Sequence, residues 1–310
     1  MARVHQTPVV STPSRDIDAL AGASEQCPVC GLADRGVMRY RYPPFAVVRC
    51  GACGALHLSP LPSLDVLRAL YNNNYYRDPS LQHGYLDYLA AHREVTKTYT
   101  RRLSYLRRRL PPPPPERRRA VHELGAALGH GLDLARDLLN ADVSASDVST
   151  EAVEHCRRRG FSASVSNGFG VSTGFAPGSI DVMYAFDVIE HLPSIPVFRA
   201  WLAGVIRPGG VFFLTTPDMD HPLNRLLGSR SPSIKIPQHL SYFTKRTLQR
   251  ALAPEFVLQD CAWDYSCAEL GLLLSRVGHV AGLPALSWQF GPALWVPNGM
   301  RMYVYQRVLE

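Results

Sequence analysis

The stretch Val121-His122-Glu123-Leu124-Gly125-Ala126-Ala127-Leu128-Gly129-His130-Gly131, with Ser146-Asp147-Val148-Ser149 one strand further on, decides how this chain is read. It reads as a strand, a turn of small residues and the start of a helix. A doubly wound α/β domain opens its nucleotide site this way: small residues let the backbone approach the ligand, and a carboxylate at the next strand tip accepts ribose hydroxyls. An ordinary strand-to-helix turn rich in Gly and Ala has the same pattern, so the rest of the chain must decide.

Downstream, units follow with βα regularity. Asp142–Asp147 is the second strand, Glu151–Arg159 a helix stopped by Gly160, and Phe161–Val165 the third strand. Ile180–Phe186, almost wholly apolar, is a fourth and central strand, with Asp187-Val188-Ile189-Glu190-His191 at its carboxyl end. Val197, Phe198, Trp201, Leu202 and Val205 mark the next helix, which stops at Arg207-Pro208-Gly209-Gly210. Val211–Thr215 is the fifth strand and Met302–Val308 the last. The alternation predicts a mostly parallel sheet with ligands at the strands' carboxyl edge. Met219–Lys235 is a long excursion and the expected lid. In the apolar segment Leu270–Trp295, the rings of Trp288, Phe290 and Trp295 either line a substrate pocket or extend the core.

Upstream, residues 1–24 are an aperiodic Ser/Thr/Pro/Ala lead-in, expected to be flexible. Residues 25–62 carry Cys27-Pro28-Val29-Cys30-Gly31 and Cys50-Gly51-Ala52-Cys53-Gly54. Two such pairs let two knuckles converge on one tetrahedral Zn²⁺, and the glycines supply the tight turns. Four thiolates leave no open position, so Cys27, Cys30, Cys50 and Cys53 predict a structural metal and not a catalytic one. The odd total of seven cysteines argues against a disulfide framework and for a reducing compartment. Residues 63–116 read as a helical cap and linker, with five tyrosines between Tyr71 and Tyr88, a helix over 86–110 and prolines at 111–115. The α/β domain occupies 117–310.

The formal net charge of +7 matches the surplus in residues 101–119, which hold eight arginines and one glutamate. That run reads as a solvated helix face and loop, in preference to a site for an anionic partner. Tyr99 and Tyr105 are fewer aromatics than a single-strand groove uses, so nucleic acid is disfavoured. The hydrophobic fraction of 46% and charged fraction of 19% are those of a soluble globular protein. No apolar run has membrane-spanning length and the N-terminus lacks a signal-peptide core, so a cytoplasmic protein is expected.

At this point the residues resemble a known family, the class I S-adenosylmethionine-dependent methyltransferases, and specifically the bacterial group with an N-terminal four-cysteine zinc ribbon. The resemblance rests on Glu123-Leu124-Gly125-x-Ala127-x-Gly129, Asp147-x-Ser149, Phe186-Asp187-x-x-Glu190-His191, Arg207-Pro208-Gly209-Gly210 and Pro237-Gln238-His239-Leu240-Ser241-Tyr242-Phe243, in that order. It implies a Rossmann-like fold with a seven-stranded sheet. It also implies that Gly125 and Gly129 lie under the methionine part of the cofactor with Glu123 near its amino group, and that Asp147 and Val148 flank the ribose. Phe186 and Asp187 would line the sulfonium side. The chain departs from the family at Ala127, where glycine is usual, and at Asn167, where an acidic residue often meets the adenine amine.

A sulfonium methyl is already activated, so positioning supplies most of what the reaction needs, and a general base takes the acceptor's proton where required. His191 and His239 are the candidate bases, with Glu190 orienting one of them; a structural role for either histidine is the competing account. The expected function is O- or C-methylation of a small molecule in specialised metabolism. A zinc-ribbon RNA methyltransferase and a non-catalytic scaffold with a decayed turn are the alternatives.

Overall fold

The computed structural model describes residues 26–33, 36–63, 65–67, 92–112, 116–167, 171, 174–270 and 292–309. The lead-in, the tyrosine-rich segment, Trp288 and Phe290 lie outside the described residues. Among the described residues, seven strands form one sheet in the order β10-β11-β8-β7-β4-β5-β6. These are β4 (Arg119–Leu124), β5 (Ala141–Asp147), β6 (Ser162–Val165), β7 (Ile180–Phe186), β8 (Ile206–Pro217), β10 (Phe256–Glu269) and β11 (Ala293–Arg307). The first five named are parallel, and β11 inserts antiparallel between β8 and β10. Every residue of β7 is buried, as its unbroken apolar run requires of a strand covered on both faces.

Helices flank this sheet: α1 (His92–Arg107), α2 (Leu132–Leu139), α3 (Thr150–Arg158), α4 (Ile195–Val205), α5 (Pro222–Leu227) and α6 (Lys245–Leu252). Their starts are legible. Ser149 accepts from Ala152 N, Ser194 caps α4, and Thr244 and Thr247 form a reciprocal capping box on α6.

A second sheet holds β1 (Val37–Tyr42), β2 (Phe45–Arg49) and β3 (Leu56–Ser59). Its fourth strand comes from far along the chain. Ser241–Tyr242, β9, pairs with His57 and Leu56, and Leu58 N donates to Leu240 O at 2.9 Å. On the other side Ile195 N donates to Pro28 O, which joins the first cysteine knuckle to the start of α4. The ribbon is therefore built into the α/β unit at two places, a connection between distant segments that no local pattern carries.

Two expectations are corrected, and the expected lid segment has its own structure. The fifth strand begins at Ile206 and not Val211: Ile180 pairs with Ile206 and Val182 with Val211, so Arg207–Gly210 bulge out between the two pairings. The excursion 219–235 is folded, with α5 and a 3-10 turn whose Asn224, Ser231 and Ser233 are buried and mutually hydrogen-bonded. The arginine run is only partly a solvated face: Arg102 and Arg119 are buried, while Arg107, Arg108, Arg117 and Arg118 are exposed. Arg102 is 3% exposed and donates to Asp264 at 2.7 and 3.0 Å, Arg101 and Arg109 pair with Asp264 and Asp260, and Arg117 pairs with Asp181. Carboxylates of β10 and β7 pair with Arg101, Arg102, Arg109 and Arg117, and Arg107 and Arg108 stay exposed at the end of α1 and just past it. No helix among the described residues is long and apolar enough to cross a membrane.

Candidate active site

The turn after β4 is held by backbone and carboxylate together. Gly125 N and Ala126 N donate to Ser146 O, and Gly129 N donates to Ala126 O. Gly125, Ala127 and Gly129 have φ of 73°, 48° and 72°, so left-handed residues recur along the turn. A side chain at Gly125 would strike Val188 Cγ2 at 2.4 Å, and one at Gly129 would strike Leu132 and Arg159. Ala127 tolerates its position because its N–H donates to Asp147 Oδ2 at 2.9 Å, which offsets a left-handed cost of roughly 1–2 kcal/mol.

Asp147 ends β5, buried, and its other oxygen accepts from Ser149 N at 2.9 Å. Its carboxylate thus ties the turn to the next helix start, with half-buried Val148 between them. Glu123 lies beneath the turn at 1% exposure, where Tyr184 Oη donates to Oε2 at 2.8 Å. Burial pushes its carboxyl up to about 8, against the pull of the Tyr184 hydrogen bond. Asn167 sits exposed beyond β6, where its amide oxygen accepts from Val171 N at 3.1 Å and closes its own loop.

At the end of β7, Phe186 packs edge-on against Tyr99 and Phe213, with centroids 4.9 and 5.6 Å away. Asp187 follows with φ 61°, a strained conformation for a residue with a side chain. Thr215 Oγ1 donates to its Oδ1 at 2.5 Å, and the Arg102 guanidinium lies 3.6 Å from Oδ2.

The 3-10 turn Ile189–His191 then brings Glu190 and His191 against His239, which arrives from the segment before β9. The two imidazoles meet edge to face with centroids 4.7 Å apart. Leu240 N donates to Glu190 O at 2.8 Å and locks the two segments in register. Thr216 Oγ1 donates to Glu190 Oε2 at 3.0 Å. Burial, with the neighbouring Asp187, pushes the Glu190 carboxyl up to about 8. Burial lowers His191 to about 4, and burial beside His191 and Lys235 holds His239 well below the usual histidine range, so both rings are neutral and weakly basic. The structure therefore brings the three sequence-predicted catalytic candidates into one cluster.

The four cysteines converge equally well. Cys27 Sγ lies 3.8 Å from Cys53 Sγ and Cys30 Sγ 3.8 Å from Cys50 Sγ, with all four ligand atoms within 4.8 Å of one another. Sulfurs around a tetrahedral ion with bonds of about 2.3 Å stand about 3.8 Å apart, so the set fits such an ion.

Sequence reasoning missed Arg102, Tyr184, Thr215 and Thr216. The threonines had a signal, standing at the carboxyl end of the fifth strand, where such folds place ligand contacts. Arg102 had none, since its aspartates lie on segments far from it in sequence.

A family model described as a methyltransferase domain matches residues 91–254, just over half of the chain. A Mycolicibacterium smegmatis protein named "Probable S-adenosylmethionine-dependent methyltransferase" is 34% identical over 113 residues, covering 34% of this chain and 44% of that protein. A ubiquinone biosynthesis O-methyltransferase of Xanthomonas campestris pv. campestris is 32% identical over 84 residues, 25% of this chain and 35% of its own. The chain spans less than half the length of either curated relative. Among solved structures, a chain of the complex between the Haloferax volcanii Trm112 methyltransferase activator and a methyltransferase aligns with a TM-score of 0.50. The identity is 12%, over 71% of this chain and 95% of that one, which speaks for the fold alone. A match over more than half of its length makes this chain a member of the methyltransferase-domain family of S-adenosylmethionine-dependent enzymes.

Proposed function

We propose that the protein transfers a methyl group from S-adenosylmethionine to an oxygen or carbon of a small molecule, in specialised metabolism. The observation that carries this reading is the Glu190–His191–His239 cluster, placed just past Asp187 at the carboxyl edge of β7. Bound cofactor supplies an activated methyl on sulfur. The Gly125–Gly129 turn leaves room for its amino-acid end, Glu123 faces the ammonium, and Asp147 and Val148 take the ribose. Asn167 stands toward the adenine, and Phe186 and Asp187 fix the sulfonium side. The cluster orients the acceptor and takes up or directs its proton. The ubiquinone-pathway relative's name is that of an enzyme acting on a small-molecule oxygen, which agrees with this reading. The inward pairing of the arginines argues against the RNA alternative. The intact turn argues against the scaffold alternative, because Ala127 is accommodated by its bond to Asp147.

The four cysteines hold a structural Zn²⁺ in this reading, in a ribbon spanning 25–62. A cap and linker cover 63–116 and the methyltransferase domain 117–310. Calorimetry with S-adenosylmethionine tests the core of the proposal: binding in the micromolar range is expected, and Asp147→Ala weakens it at least tenfold, about 1.4 kcal/mol. No heat at millimolar cofactor would overturn it.

Glu123 gives a second expected result. Its carboxyl, raised to about 8 by burial, is mostly protonated at neutral pH, and a cofactor ammonium beside it favours the ionised form. Binding then releases a proton, so affinity rises with pH between about 6 and 7.5, by up to about tenfold per unit. Titrations in buffers of different ionisation enthalpy read the proton directly. Glu123→Gln flattens the slope; a slope that survives it assigns the proton elsewhere.

A further inference from the structure

Glu190, His191 and His239 each offer one ligand atom, and these atoms all lie within 4.8 Å of one another. We propose that these three residues bind one divalent transition-metal ion, distinct from the ion of the cysteine ribbon, and that this ion holds an oxygen of the methyl acceptor.

The hydrogen bonds around the cluster select the ligating tautomers. His191 Nδ1 lies 2.9 Å from Gln238 O, and His239 Nδ1 lies 2.8 Å from Ser233 O. A backbone carbonyl only accepts, so both Nδ1 atoms carry the proton and both Nε2 atoms carry the lone pair. Metal-binding histidines are oriented in the same way, with the remote N–H donated to a carbonyl. Glu190 supplies the charge. Its Oε2 accepts from Thr216, while its buried Oε1 has no hydrogen-bond partner among the described residues. An orphaned carboxylate oxygen in the interior calls for a ligand, and a cation satisfies it.

Two imidazoles and one carboxylate suit Mn²⁺, Fe²⁺, Co²⁺ or Zn²⁺ and not Mg²⁺ or Ca²⁺, which take oxygen. Three protein ligands also leave coordination positions open, unlike the closed four-thiolate set. Donors bound to one ion at about 2.1 Å stand roughly 3 Å apart, inside the 4.8 Å limit within which these three ligand atoms lie. The charge of Lys235 bears on all three ligands: it opposes protonation of both histidines and favours ionised Glu190. It competes with the ion for the same carboxylate. Ion binding stands apart from the methyl-transfer reading; only the role toward the acceptor rests on it.

Mn²⁺ is the probe, because it lies lowest in affinity of the first-row series and leaves thiolate-bound zinc in place. Full-length protein with its ribbon zinc retained is titrated with Mn²⁺ and the free ion followed by electron paramagnetic resonance. One Mn²⁺ per chain is expected. His239→Ala and Glu190→Gln each weaken it at least about 100-fold while ribbon zinc stays at its wild-type level. Lys235→Ala, which removes no ligand, tightens it several-fold, an effect that general disruption would not give. Absence of a bound Mn²⁺ on wild-type protein at millimolar ion overturns the proposal, as does stoichiometric binding unchanged in His239→Ala. Mn²⁺ binding in a protein that gives no heat with S-adenosylmethionine sustains the ion site and refutes the methyltransferase reading alone.

Discussion

Stripping the zinc proposed for the four-cysteine set is expected to abolish turnover while leaving cofactor affinity within about twofold of its starting value. The chain of contacts runs from the cysteines to the site. Cys27 and Cys50 are buried in the same apolar cluster as Ile189 and Ile195, and Ile195 N donates to Pro28 O beside the first knuckle. β3 holds β9, β9 follows directly on His239 and Leu240, and Leu240 N donates to Glu190 O. A structural zinc contributes on the order of 10 kcal/mol to a unit of this kind, so chelation unfolds the ribbon and releases β9. A catalytic group displaced by about 1 Å can cost about 100-fold in rate, and His239 without β9 is freed by more than that. The Gly125–Gly129 turn is anchored to Ser146 O and to the Asp147 carboxylate, which also holds Ser149 N at the start of α3, and it stays in place. Chelator-treated protein and Cys50→Ser are assayed for labelled methyl transfer and, separately, for cofactor binding by calorimetry. Turnover that survives complete zinc loss would sink the idea. Loss of cofactor affinity in parallel would show instead that the whole domain depends on the ribbon.

The parts of this arrangement that are local in sequence were legible there. The strand-turn-helix around Gly125 shows itself because left-handed turns select small residues. The β7 run shows itself because a doubly covered strand is apolar throughout, and the cysteine pairs because a tetrahedral ion fixes their spacing. Glu190, His191 and His239 were legible as candidates but not as a cluster, since nothing in residues 189–191 says that 237–243 crosses them. What failed was the inference from charge pattern to exposure. Arg102 lies in a run that reads as a solvated face, yet its two carboxylate partners, Asp187 and Asp264, sit just past β7 and on β10. A helix pattern tells which residues share a face, while the presence of carboxylates across from them is decided by strands paired some 160 positions later. Arg207–Gly210 was legible as the end of α4, which stops at Val205, but not as a bulge of β8, because Pro and Gly mark a break in regular structure without saying which element owns it.

Arg102→Ala is expected to be the most destabilising single substitution on α1. Asp264 is fully buried and receives both Nε and Nη2 of Arg102, with Arg101 and Asn298 completing its shell. The same guanidinium stands 3.6 Å from Asp187 and lies 5.0 Å from the Phe186 ring centroid, so it joins α1, β7 and β10 at one point. Removing one partner of a buried ion pair costs about 3–5 kcal/mol, and among the described residues Asp264 keeps only Arg101, 31% exposed, as a counter-charge. For a chain of this size that is roughly a 10 °C fall in melting temperature. Replacing both partners with apolar residues of similar volume, Arg102→Met with Asp264→Leu, restores most of the loss because the fully buried carboxylate is gone with its partner. Asp187 separates the two contributions: it loses a counter-charge in either variant, so the double variant regains stability without regaining full methyl transfer. Thermal melts and turnover measured side by side give the outcome, and a double variant no more stable than Arg102→Ala would mean that the guanidinium acts through its packing against Phe186 and not through its charge.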